Sequence, residues 1–76
     1  MPKITPLPVK KICKVFEKAG FIHVRTEGDH IIYTKPDVRR PIVIPMLKDI
    51  PVFIIKNCLR TAGISREEYF SYLEEI

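Results

Sequence analysis

A chain of 76 residues and 8.9 kDa holds enough apolar material for one small core, so a single domain over residues 1–76 is expected. Its 46% apolar and 29% charged residues exclude a chain disordered along its length, and no run of about 18 apolar residues is present to span a bilayer. Thirteen Lys and Arg against nine Asp and Glu leave a net charge of +4, with residues 1–40 carrying nine basic and four acidic groups and residues 41–76 four and five.

The first half is therefore the half expected to face a polyanion. No basic segment followed by an apolar one opens the chain, so a soluble cytoplasmic protein without membrane contact is expected. Cys13 and Cys58 stand far apart, without CxxC or Cys/His ligand spacing. This gives neither a zinc site nor a disulfide framework any support, and both are expected as small core side chains.

After a lead punctuated by Pro2, Pro6 and Pro8, the residues Val9, Ile12, Cys13, Phe16 and Ala19 recur at helical spacing, with Lys10, Lys11, Lys14, Glu17 and Lys18 between them. Gly20 supplies a stop, and Phe21 is placed to fold back on the last turn. Two β-rich runs follow, Phe21 to Thr26 and His30 to Thr34, joined by Glu27-Gly28-Asp29, which suits a tight hairpin. Residues 35–40 form a polar connection, and Pro41 to Ile44 a third, short strand between prolines.

Pro51 starts a second helix with Ile54, Ile55, Cys58, Leu59 and Ala62 on one face, and Gly63 ends it. Ser65-Arg66-Glu67-Glu68 has the form of a capping box, with Ile64 and Tyr69 as its apolar staple, so a last helix runs through Tyr69, Phe70, Leu73 and Ile76. The expected class is α+β: an αβββα order with a three-stranded antiparallel sheet, helices on one face and a short closing C-terminal helix. The other face is left open to bind.

The chain lacks a paired-carboxylate motif, GxSxG, a P-loop and HExxH, so most enzyme classes are without their parts and the field narrows to histidine chemistry. His30 directly follows the Gly28-Asp29 turn, where a ring can project from a strand start and a glycine allows close approach to the backbone. The plain alternative is an ordinary strand histidine. His23, inside the first strand, is expected as a structural or surface residue.

Arg25, Lys35, Arg39 and Arg40 are placed to converge on the sheet edge carrying His30, with phosphates as their natural ligand; otherwise they belong to a solvated loop. Lys10, Lys11, Lys14 and Lys18 form a basic helix stripe that either meets the same polyanion or serves solubility. Tyr33 offers a ring for base stacking, but packing is the commoner use of a strand aromatic. Tyr69, Phe70 and Tyr72 are expected in the core or at an interface.

Ala19-Gly20-Phe21, Arg25, Gly28-Asp29-His30, a Tyr-containing strand, Ile44-Pro45 and residues Leu59 to Ser65 together resemble the HicA family of toxins over nearly the whole chain. The resemblance implies a double-stranded-RNA-binding-domain-like fold and a metal-independent mRNA interferase that needs no cofactor and is held inactive by a HicB-like antitoxin. The family's Gly-Ser-His triplet, which carries the catalytic histidine, corresponds here to Gly28, Asp29 and His30. Where relatives often carry Pro-x-His after the third strand, this chain has Pro45-Met46-Leu47, so the second histidine is absent.

The expected function is thus endoribonuclease cleavage of mRNA with His30 as general acid/base and Arg25, Gly28, Lys35, Arg39 and Arg40 as RNA-binding residues. A non-catalytic RNA-binding module of the same fold and a purely protein-binding domain are the competing expectations.

Overall fold

The computed structural model describes residues 3–76. In chain order these form β1 (Leu7–Pro8), α1 (Val9–Lys18), β2 (Ile22–Glu27), β3 (His30–Thr34), β4 (Ile42–Pro45), β5 (Asp49–Ile50), α2 (Val52–Ala62) and α3 (Arg66–Glu74). β2, β3 and β4 make the expected antiparallel meander in the order β2-β3-β4. The arrangement is α+β, consistent with the αβββα plan, and a helix closes the C-terminus.

The proline-marked lead does more than introduce α1. Leu7 pairs with Ile50 and Pro8 with Asp49 in a two-residue antiparallel ladder, tying the start of the chain to the segment before α2. Sequence periodicity cannot register strands of two residues. The last helix also stops at Glu74, short of Ile76, and the first long strand starts at Ile22 because Phe21 is used to cap α1.

The cap of α1 has a full set of partners. Gly20, at φ +97°, donates its N–H to the Glu17 carbonyl, and Phe21 donates to the Phe16 carbonyl at 2.9 Å, the paired bonds of a Schellman stop. The two rings meet edge to face at 5.6 Å, which supplies the apolar contact of that motif. Gly63 ends α2 in the same way at φ +72°, with Ile64 donating to Leu59. At α3 the capping box forms as expected: Glu68 N–H donates to Ser65 Oγ at 3.1 Å, and Ser65 N–H to Glu68 Oε1 at 2.9 Å.

One continuous core lies between the sheet and the helices. α1 contributes Ile12, Val15 and Phe16, β4 contributes Ile42 and Ile44, α2 contributes Ile55, Cys58 and Leu59, and α3 contributes Tyr69. Phe70 and Tyr72 pack against it, as does the half-buried Cys13. Burial pushes the Cys58 thiol up to about 11 and also raises Cys13, so neither is a thiolate nucleophile near neutral pH.

Tyr33 belongs to this core and does not stack on a base. It is buried, and its hydroxyl donates to Glu17 Oε2 at 2.7 Å, joining the centre of β3 to α1. Among the described residues, no helix is long and apolar enough to cross a membrane.

Candidate active site

The hairpin between β2 and β3 pairs Glu27 with His30 and leaves only Gly28 and Asp29 in the turn. Gly28 has φ +58°, and no residue other than glycine has a positive φ among those described. This is the pattern of a type II′ turn, which needs glycine at its first central position and matches the twist of the strands it joins. Nothing lies within 4 Å of the position a Cβ would take on Gly28, so the turn is open to a ligand. The Asp29 carbonyl accepts the Met46 N–H at 2.7 Å, fixing the turn against the residue that follows β4.

Register decides which face each side chain takes, since neighbours in a strand point to opposite sides. Ile31 pairs with Ile44 and Tyr33 with Ile42, and these belong to or pack on the core. His30, opposite Pro45, and Ile32, opposite Val43, therefore stand on the other face. His30 is exposed there, and no hydrogen bond holds its ring among the described residues.

β2 would alternate in the same way but for one irregularity. His23 pairs with Tyr33 and Arg25 with Ile32, leaving Val24 as an extra residue in a bulge. The insertion shifts the parity of everything after it. Arg25 and Glu27, which simple alternation would put on the His23 side, are carried to the open face with His30. On the other side His23 and Thr26 come together, and the His23 ring is held by Thr26 Oγ1 at 3.0 Å and packs edge to face on Tyr33 at 5.6 Å. His23, exposed but bonded and packed in this way, fits the expectation of a structural or surface residue.

Arg25 forms an ion pair through Nε with Glu27 Oε1, with the two side chains 56% and 61% exposed. The remaining cations are elsewhere. Lys35 lies beyond the far end of β3, roughly 16 Å along the strand from His30 at about 3.3 Å per residue. Its stem packs beside Gly20 and its Nζ sits 5.8 Å from the Phe21 ring centroid and 3.9 Å from Asp37 Oδ1. Arg39 and Arg40 are exposed in the connection at that same end, before Ile42 pairs with Tyr33.

Of the four cations expected to converge on His30, Arg25 shares its face, beside the Gly28 turn, and Lys35, Arg39 and Arg40 do not. A strand of five residues separates the two groups. Asp29, next to His30 in sequence, makes no hydrogen bond to its ring among the described residues.

Two features of the site were missed in the sequence: the bulge at Val24, and Glu27 as the direct cross-strand neighbour of His30. The hairpin spacing contains the second, since a two-residue turn forces that pairing. Pro45, Met46 and Leu47 also border the turn, with Met46 and Leu47 exposed, so the stretch where the second histidine would fall lies beside His30.

The site is an open surface. A groove of about 450 Å³ lined by Lys14, Glu17, Lys18, Glu75 and Ile76 includes none of its residues. An exposed imidazole with an adjacent guanidinium on a sheet face can exchange a proton with, and neutralise charge on, an extended anionic polymer; a small molecule would find little to enclose it. Among the described residues no group of three or more His, Cys, Asp and Glu side chains is placed to hold a metal ion.

No curated protein matches this chain. Residues 9–64, from the start of α1 to the stop after α2, match the family model described as the HicA toxin of bacterial toxin-antitoxin systems. That match takes in the hairpin, the bulge and both glycine-stopped helices, and the chain accordingly belongs to the HicA toxin family.

Proposed function

We propose that this toxin cleaves messenger RNA without a metal ion, using His30 as general acid/base and the exposed sheet face as the RNA platform. The observation that carries the reading is the placement of an exposed, unpaired imidazole at the open hairpin turn, with Arg25 on the same face. The ribose 2′-oxygen forms a bond to the adjacent phosphorus while the bond from phosphorus to the 5′-oxygen breaks. The products are a 2′,3′-cyclic phosphate and a 5′-hydroxyl.

His30 removes the proton from the 2′-hydroxyl, or in its protonated form delivers one to the departing 5′-oxygen, and water serves at the other position. Arg25 neutralises charge that gathers on the phosphate oxygens. Lys35, Arg39 and Arg40 are too distant for that phosphate and instead track the strand further along, as positioning contacts with the backbone. One acid/base group supplies about 10²- to 10⁴-fold, so a slow nuclease is expected, acting in the cytoplasm until a HicB-like antitoxin covers it.

Incubating the purified protein with a long RNA in chelator, beside His30→Ala, tests the reading. Cleavage that falls at least about 10²-fold in the variant supports it. RNA binding without cleavage in either sample replaces it with the binding module, and neither activity replaces it with the protein-binding domain.

A further inference from the structure

We propose that Glu27 is a positioning residue for His30 and that Arg25 controls it: free of RNA, Arg25 holds the Glu27 carboxylate, and a backbone phosphate that draws Arg25 away frees Glu27 to accept a hydrogen bond from the His30 ring. The proposal rests on the catalytic role of His30 put forward above. Its basis is the geometry of three side chains on one face.

Glu27 and His30 are the last register pair before the turn, so their Cβ atoms lie about 4.5–5.5 Å apart on the same face of the sheet. A carboxylate on a two-carbon stem spans that gap. In this structure the carboxylate is occupied by Arg25 and the His30 ring has no hydrogen-bond partner among the described residues. Arg25 thus has two possible anions and Glu27 two possible donors.

The Arg25–Glu27 pair is more than half exposed on both sides, which makes it weak and exchangeable. A phosphodiester offers the planar guanidinium two oxygens at once, a better fit than the single contact through Nε. Once Arg25 turns to the phosphate, the Glu27 carboxylate is free to accept from the His30 ring N–H opposite it.

The consequence is chemical. A neutral imidazole exists as two tautomers, and a carboxylate that accepts from one ring N–H fixes the other nitrogen as the free base. Glu27 would therefore hold the free ring nitrogen of His30 toward the 2′-hydroxyl only when RNA is bound. Sequence adjacency would instead select Asp29, but its carboxylate makes no hydrogen bond to the His30 ring among the described residues, and it is Glu27 that the register sets opposite His30.

The test uses a DNA oligonucleotide, which brings phosphates but no 2′-hydroxyl and so is not cut by this route. Ring ¹⁵N shifts of His30, assigned by their loss in His30→Ala, are followed by NMR at pH 8, where an unperturbed imidazole is neutral. The wild-type ring is expected to pass from averaged tautomers to one as the oligonucleotide saturates. Arg25→Ala should show the single tautomer with no oligonucleotide present, and Arg25→Ala combined with Glu27→Ala should return the average.

Ring shifts in Arg25→Ala that match both wild type and the double variant would overturn the proposal. In cleavage assays Glu27→Ala should lower kcat on the order of tenfold with little change in KM, with partial rescue by Glu27→Asp, as expected where a base loses orientation but remains present. An unchanged kcat in Glu27→Ala also overturns it. If wild-type protein fails to cut RNA at all, the nuclease reading falls, while the ring shifts still decide whether the three side chains form this switch.

Discussion

Tyr33 and His30 share a five-residue strand yet belong to opposite layers of the protein. On one face Tyr33 is 3% exposed, hydrogen-bonded to Glu17, opposite Ile42 and part of the same core as Phe21 and Ile44. On the other His30 is exposed, without a bonded partner, beside an ion pair that solvent weakens. The difference separates two demands on one strand. The buried face must be complete for the domain to stand, whereas the open face leaves the His30 ring without a partner, and under the proposed function an RNA supplies it.

The sharpest way to break that contrast is to remove one residue from each side. Ile44 is fully buried at the centre of β4, and Ile44→Ala should cost about 3 kcal/mol of unfolding free energy through lost transfer energy and the cavity left behind. His30→Ala should change it by no more than about 0.5 kcal/mol, since the ring is exposed and has no hydrogen-bond partner among the described residues. Urea unfolding of both variants checks this. Comparable losses would mean that His30 is part of the folded framework, and the division between the faces would fail.

The open face can also be extended. Pro45 stands opposite His30 and the Met46 N–H is bonded to the Asp29 carbonyl, so an imidazole at the exposed Leu47 would enter the same neighbourhood. If a single histidine limits the rate, Leu47→His should raise RNA cleavage about tenfold by supplying a second proton-transfer group, less than an optimised acid/base gains. The thermal midpoint should move little. No gain would place the reacting phosphate away from the β4 side of the turn.

Much of this architecture was legible in the sequence because it depends on local rules. Gly20 and Gly63 stop helices by a backbone conformation that other residues resist, and Ser65 with Glu68 announces a cap at fixed spacing. Gly28-Asp29 gives the turn, and so delivers His30 to a strand start. The separation of Lys35, Arg39 and Arg40 from His30 was not legible, because charges close in sequence to a strand end are read without the length of the strand.

The bulge at Val24 was hidden as well. Nothing in Ile22 to Glu27 marks which residue will be left unpaired, and one extra residue reverses the face of all that follow. The site thus owes Arg25 to a tertiary adjustment and His30 to a local turn.

Within the core, two tyrosine hydroxyls sharpen the account of what the buried face needs. Tyr33 donates to Glu17, while the Tyr69 hydroxyl is buried with no hydrogen-bond partner. Burial raises Tyr69 to about 12, so it stays neutral but unsatisfied. Tyr33→Phe should therefore lose about 1 kcal/mol, and Tyr69→Phe should be neutral or gain up to about 1 kcal/mol, because a lone buried hydroxyl costs what a bonded one contributes. Equal losses in both would show that the rings, and not their hydroxyls, set these energies.

The smallest effect lies away from the sheet, at the start of α3, where an exposed charge does a structural task. The Ser65 backbone N–H, followed by the Ser65 side chain, holds the Glu68 carboxyl below its ordinary value, with a further contribution from Lys35. A carboxylate whose value is lower in the folded state adds stability that is present above its unfolded value near 4.5 and is lost as pH falls through the depressed one. Glu68→Gln keeps an oxygen acceptor for Ser65 but cannot titrate. Between pH 6 and pH 3 the wild-type thermal midpoint should thus fall slightly further than that of the variant, and parallel curves would show that the cap depends on the oxygen alone and not on its charge.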